Sequence, residues 1–212
     1  MLLADERELV ADYGKKLVES GLTRGTGGNL SIYNRTAGLA AVSPSGIDYF
    51  AVTPEDVPVV NAGRETVAGK CRPSSELDMH MIFYEKRDDV CAVVHTHSVF
   101  ATTISCLRRG IPPVHYLLGT AGGSVPCAGY ATVATAELAE AVFAAMGDRK
   151  AVLLPNHGLL AVGRDISDAF NTADITEFCA EVYYRAQCIG DPVMIPDEEM
   201  DRILQKFRQY GA

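Results

Sequence analysis

Three of the five histidines in this 212-residue chain stand in contexts suited to holding a metal ion. His95-Thr96-His97 closes an apolar, β-branched run from Cys91 that predicts a strand, and residues two apart on an extended chain project to the same side. Two imidazoles at that spacing reach one divalent cation. Catalytic zinc sites typically take three protein ligands and leave one position open, so a third donor is needed. His157 is the candidate, in the turn Pro155-Asn156-His157-Gly158 between two short apolar strands, where Gly158 permits close backbone approach. Each histidine alone is better explained as a hydrogen-bonded core or surface residue. The strand-end pair and the Asn-His-Gly turn together favour metal binding.

Glu76 follows Pro73-Ser74-Ser75 at a predicted helix start, where unpaired N–H groups and the helix dipole favour an anion. It reads either as a metal ligand or general base, or as a first-turn capping glutamate. Glu76 and His80, at i and i+4, make a rival metal pair. That pair ranks lower, because His80 lies among Met79, Met81, Ile82 and Phe83 and suits a packed, hydrogen-bonded histidine. Three turns could cradle a phosphate without Lys or Arg: Gly27-Gly28-Asn29, Ser45-Gly46 and Ser74-Ser75. Each by itself is an ordinary turn; all three beside a metal would form a phosphosugar site.

The elements that must position these groups alternate in type. Leu9, Val10, Tyr13, Leu17 and Val18 predict an amphipathic helix over Asp5 to Ser20, stopped at Gly21. Strands are predicted at Leu30 to Tyr33, Leu39 to Val42, Val57 to Asn61 and Cys91 to His95, with two more inside Lys150 to Val162. Helices are predicted at about Glu76 to Lys86, Ser98 to Leu107, Thr135 to Met146, Asp168 to Ile189 and Asp197 to Tyr210. Gly110 to Tyr116 reads as an edge-like segment around a double proline, and Thr120 to Ser124 as a flexible stretch. No repeat or linker divides the chain, so one α/β domain over residues 1–212 is the expectation.

Composition narrows the partners. With 19 Lys and Arg against 27 Asp and Glu, a formal charge of −8, the surface has no general attraction for nucleic acid or anionic membranes. No apolar run approaches the roughly 20 residues needed to cross a bilayer, and no leader pattern opens the sequence, so a cytoplasmic location is expected. Six cysteines are scattered without a Cys-x-x-Cys pair and are read as reduced, mostly buried small hydrophobes.

Eight motifs, in order, resemble the class II sugar-phosphate aldolases nearly end to end. They are Gly25-Thr-Gly-Gly-Asn-Leu-Ser, Ser43-Pro-Ser-Gly-Ile, Pro73-Ser-Ser-Glu, Val93-Val-His-Thr-His, Ile111-Pro-Pro-Val-His-Tyr, Ala121-Gly-Gly-Ser, Asn156-His-Gly-Leu and Lys206-Phe-Arg-Gln-Tyr-Gly. The resemblance implies a three-layer αβα domain with a central, largely antiparallel sheet, assembled as a homotetramer with its sites at subunit interfaces. It implies one Zn2+ per subunit on His95, His97 and His157, with Glu76 as both a labile ligand and the catalytic base. The phosphate of dihydroxyacetone phosphate would lie against Gly28, Asn29, Ser45, Gly46, Ser74 and Ser75. Tyr116, from a neighbouring subunit, would protonate the aldehyde oxygen, and Tyr210 would help close the site.

The implied reaction is reversible cleavage of L-fuculose 1-phosphate, or a related ketose 1-phosphate, through an enediolate. The products would be dihydroxyacetone phosphate and L-lactaldehyde or another short aldehyde. Val133 departs from the pattern, standing where an aromatic residue beside the aldehyde is expected. A pentulose-phosphate 4-epimerase or a phosphosugar dehydratase of the same superfamily is the alternative, and a non-catalytic, zinc-stabilised scaffold a more distant one.

Overall fold

A computed structural model describes residues 1–210, with Arg208 and Tyr210 described as backbone only. The strands are β1 (Asn29–Asn34), β2 (Leu39–Val42), β3 (Val59–Asn61), β4 (Thr66–Ala68), β5 (Ala92–Thr96), β6 (Ala151–Leu154) and β7 (Gly158–Gly163). Among the described residues they form one sheet of order β4-β3-β2-β1-β5-β7-β6, with every neighbouring pair antiparallel. Helices α1 (Ala4–Glu19), α3 (Val99–Cys106) and α5 (Ile166–Ile189) cover one face, and α2 (Leu77–Lys86) and α4 (Ala136–Met146) the other. The α/β fold with a central antiparallel sheet is as expected.

Strand alternation feeds two separate cores. Leu30, Ile32, Ala92, Val94, Leu159 and Ala161 point towards α1, α3 and α5. Val93, Val152, Leu154, Leu160 and Val162 point the other way, onto Met79, Phe83, Leu138 and Val142 of α2 and α4. Strands buried on both faces therefore read as continuous apolar runs, as the sequences of β5, β6 and β7 do. The last helix, α6 (Asp197–Tyr210), lies against a 3-10 helix at Tyr116–Ala121, where a side chain on Gly119 would run into Ile203 and Phe207.

Four segments depart from the sequence expectation. The strand predicted from Val57 begins only at Val59, since Pro58 has no N–H to enter a ladder and instead accepts from Val42 through its carbonyl. The Ile111 segment forms only an isolated bridge to Val125, because Pro112 and Pro113 stop it from continuing. The 3-10 helix and the short edge strand β4 were not anticipated; β4 is largely solvated and lacks an apolar face.

Phe83, fully buried between α2 and α4 and in a tilted contact with Phe143 at 5.4 Å, anchors the second core. Phe83→Ala is expected to cost about 3–5 kcal/mol of stability. Urea unfolding should show a lower midpoint with an unchanged slope.

Candidate active site

The register of the sheet assembles the site. Asn29 stands opposite His95 on the paired strand, and His95 stands opposite Leu160 on the next, so the ends of β1, β5 and β7 meet in one place. His97 leaves β5 into α3, whose N-terminus is held by a carboxylate from α5: Glu177 accepts from the N–H groups of Phe100 (2.7 Å) and Ala101 (2.8 Å). His157 sits in the β6–β7 turn, with Asn156 in the left-handed region at φ 55°. A Cβ at Gly158 would collide with the carbonyl oxygen of Thr96, so the two strand ends can close on one another only with glycine there. Gly28 (φ +65°) and Gly27 are constrained alike: Cβ atoms there would lie 2.7 Å from the His95 carbonyl and 2.8 Å from His97 Nδ1.

Glu76, His95, His97 and His157 each turn a ligand atom inward, all within 4.8 Å of one another. His95 Nδ1 lies 2.9 Å from the Leu159 carbonyl, an acceptor, so that nitrogen carries the proton and Nε2 presents a lone pair to the cluster. His97 Nε2 is 3.1 Å and His157 Nε2 3.3 Å from it. One lone pair cannot serve two ring donors well. A cation between them satisfies all three, and nitrogens in a tetrahedral zinc site, at Zn–N about 2.0–2.1 Å, lie about 3.3 Å apart. Glu76 contributes Oε2 at 3.3 Å from His95 and Oε1 at 3.5 Å from His157, and Oε1 is buried with no hydrogen-bond partner among the described residues. Burial, with repulsion from His157 and His97, holds His95 well below the usual imidazole range, so its contact with Glu76 is not a pair of full charges. His97 is lowered by burial and by His157, opposed by Glu76. The donor set fits a divalent cation.

Beside the cluster opens a cavity of about 120 Å³ lined by Gly28, Asn29, Ser45, Gly46, Ser74 and Ser75 together with Glu76 and His97. Every residue singled out for a phosphate thus lies on one cavity with Glu76 and His97, and among the described residues no Lys or Arg lines it. Backbone stitching holds two of its walls together: Ser74 N–H donates to the Ser43 carbonyl, Ser45 N–H to that of Arg72, and Pro44 bridges Pro73. The Tyr49 hydroxyl donates to the Gly28 carbonyl at 2.8 Å, tethering the glycine turn. A larger cavity of about 340 Å³ lies elsewhere, against α6, where Lys150 already pairs with Asp168 and no residue of the cluster takes part.

The remaining candidates are placed as follows. Asn29, expected against the phosphate, is only 5% exposed, and its amide is engaged with Glu76 (Nδ2 to Oε2, 2.9 Å) and with His80. Glu76 is no capping glutamate: it precedes α2 without a side-chain cap and turns its carboxylate to the histidines. His80 is buried and hydrogen-bonded to Ser31 and Asn29, outside the four-ligand cluster. Tyr116, 52% exposed on the 3-10 helix against His115, and Val133, 56% exposed, do not line the cavity. The side chain of Tyr210 lies outside the described residues.

With this geometry in place, the relationships of the chain are clear. Residues 8–184 match the family described as Class II Aldolase and Adducin N-terminal domain; the chain belongs to that family and is a class II aldolase, a lyase. It is 52% identical over 211 residues to 5-deoxy-D-ribulose 1-phosphate aldolase of Bacillus thuringiensis serovar kurstaki, covering 100% of this chain and 99% of the relative. Identity to L-fuculose phosphate aldolase of Escherichia coli K12 is 40% over 204 residues, covering 95% and 94%. A solved structure of L-fuculose 1-phosphate aldolase matches with TM-score 0.95 at 45% identity, covering 97% of each chain.

Burial lowers His80 from 6.5 to about 3, helped by His95 and opposed by Glu76. The unfolded chain takes up a proton there below about pH 6.5 that the folded chain refuses until about pH 3, so stability falls as pH drops through that window. In metal-free protein the thermal midpoint is expected to decline between pH 7 and pH 4.5, less steeply in His80→Phe. Equal slopes for the two proteins would contradict the assignment.

Proposed function

We propose that this aldolase cleaves a ketose 1-phosphate between C3 and C4, releasing dihydroxyacetone phosphate and a short aldehyde. The observation that carries the proposal is the Glu76, His95, His97 and His157 cluster at the wall of a cavity made of amides and hydroxyls. The preferred substrate is 5-deoxyribulose 1-phosphate, whose remaining two carbons leave as acetaldehyde, in keeping with the 52% identity to an aldolase named for that sugar. L-fuculose 1-phosphate, giving L-lactaldehyde, is the second reading, supported by the likeness to the solved fuculose phosphate enzyme.

Zinc, held by the three histidines with Glu76 as the ligand that leaves on substrate binding, would supply the electrophile that stabilises negative charge on the substrate oxygens. The serine hydroxyls and the N–H groups of Gly28 and Gly46 bind the phosphate, with Asn29 beside them. Glu76, buried and released from its histidine contacts, takes the proton from the carbon beside the ketone in the synthetic direction and returns it in cleavage. Tyr116 of the partner subunit donates to the aldehyde oxygen in synthesis and accepts that proton back in cleavage, which requires the homotetramer whose interfaces complete each site. Tyr210 helps to close it. The chain acts as one domain over residues 1–212, in the cytoplasm.

Glu76→Ala is expected to lower kcat for cleavage by at least about a hundredfold, a general-base contribution, while zinc remains bound by the histidines. Wild-type turnover in that variant would remove Glu76 from the mechanism. Zinc-loaded enzyme should release dihydroxyacetone phosphate from 5-deoxyribulose 1-phosphate faster than from L-fuculose 1-phosphate, read in a coupled dehydrogenase assay. The reverse order favours the second reading, and release from neither sugar, nor from ribulose or rhamnulose phosphates, favours an epimerase or dehydratase. Chelation should abolish activity before it unfolds the protein, with recovery on adding zinc; simultaneous unfolding would mark a structural ion.

A further inference from the structure

Behind the Glu76 carboxylate runs a line of buried polar side chains that the reaction does not use directly. On one side are Glu76, His80 and Tyr84, at i, i+4 and i+8 from the cap of α2 along its length; on the other are Asn29 and Ser31, alternate residues of β1. The five are 7% exposed or less. Asn29 Nδ2 contacts Glu76 Oε2 at 2.9 Å, and Asn29 Oδ1 contacts His80 Nε2. His80 Nδ1 lies 2.7 Å from Ser31 Oγ, which lies 2.6 Å from the Tyr84 hydroxyl.

One end of the line fixes the direction of every bond in it. An ionised carboxylate only accepts, so Asn29 must face Glu76 with its NH2 and His80 with its oxygen. His80 must then carry its proton on Nε2 and donate it to Asn29. Its ring is fully buried and kept neutral, so Nδ1 is bare and accepts from Ser31. With the Ser31 proton given to His80, the Ser31 hydroxyl oxygen accepts from the Tyr84 hydroxyl, whose single proton is shared with the Ser31 carbonyl, 3.0 Å from the Tyr84 oxygen. Turned by 180°, the Asn29 amide would set its oxygen against the carboxylate and its NH2 against an N–H donor, two repulsive contacts in a buried place.

We infer that His80 is a positioning residue: fixed in its Nε2–H tautomer by Ser31 and Tyr84, it locks the Asn29 amide, and through it the orientation of the Glu76 carboxylate at the metal cluster. The inference rests on Glu76 being the metal-proximal base. Its chemistry explains why a histidine sits where helix packing alone would take Leu or Phe: an apolar ring fills the space but leaves the buried Asn29 oxygen without its donor.

Zinc affinity by chelator competition tests this without turnover. His80→Phe is expected to weaken zinc binding about tenfold, the usual scale for losing an outer partner of a metal ligand. Asn29→Ala should weaken it similarly, and adding His80→Phe to Asn29→Ala should change nothing further. His80→Gln, which keeps an N–H towards Asn29, should restore most of the affinity. In wild type the 15N shifts of His80 should report the Nε2–H tautomer at pH 7, and Ser31→Ala should mix the tautomers and weaken zinc binding. Unchanged zinc affinity in folded His80→Phe, or additive losses with Asn29→Ala, would overturn the inference. Should His80→Phe not fold, an unaltered tautomer and affinity in Ser31→Ala overturn it equally. These readings stand apart from catalysis: wild-type turnover in Glu76→Ala removes the base but leaves the zinc and tautomer results to decide the chain of hydrogen bonds.

Discussion

The pairing of β1, β5 and β7 is the constraint on which everything else depends. With Asn29 opposite His95 and His95 opposite Leu160, the amide, the imidazole and the turn bearing His157 fall at one edge of the sheet. A slip of one residue would put Val94 in place of His95 and turn the imidazole into the apolar layer beneath α1, α3 and α5. The glycines then set how closely the ends approach. Gly28 and Gly158 lie where a Cβ would strike the main chain of β5, so site geometry is enforced by backbone contact as well as by side-chain packing.

The site reconciles an acidic protein with an anionic ligand. The chain carries a net −8, yet a single phosphate would need only local donors, and the cavity offers hydroxyls and main-chain N–H groups with no Lys or Arg on its walls among the described residues. Positive charge is left to a cation at the cluster: burial makes protonation of His95 unfavourable and leaves its Nε2 lone pair available. The burial that disfavours a proton on His95 also encloses Glu76 Oε1, which has no hydrogen bond among the described residues.

Much of this was legible in the sequence because it depends on local period. Two histidines at strand spacing, a third in a glycine turn and the three small-residue loops all came together on one cavity and cluster. What could not be read was which partners a buried polar group finds across the sheet. The i, i+4 spacing of Glu76 and His80 suggested a possible shared metal; instead Glu76 faces the cluster while His80 faces β1, because Asn29 comes between them. The alternation of Asn29, Ser31 and Tyr33 held the clue, and Tyr33 extends the pattern by stacking on Tyr84 at 4.8 Å. The departures of β3 and the Ile111 segment came from prolines whose missing N–H groups outweighed apolar propensity.

The contact between β1 and α2 also has a ruler built into it. Two residues of strand advance about 6.6 Å, and four residues of helix advance about 6 Å. Asn29, Ser31 and Tyr33 therefore keep step with Glu76, His80 and Tyr84, but the two repeats drift apart by roughly half an ångström at each pair. Over three pairs side chains absorb the mismatch; a much longer seam would lose its hydrogen bonds. Evolution can exchange residues along this seam one at a time, whereas inserting or deleting a single residue in either element would shift all of the later partners together.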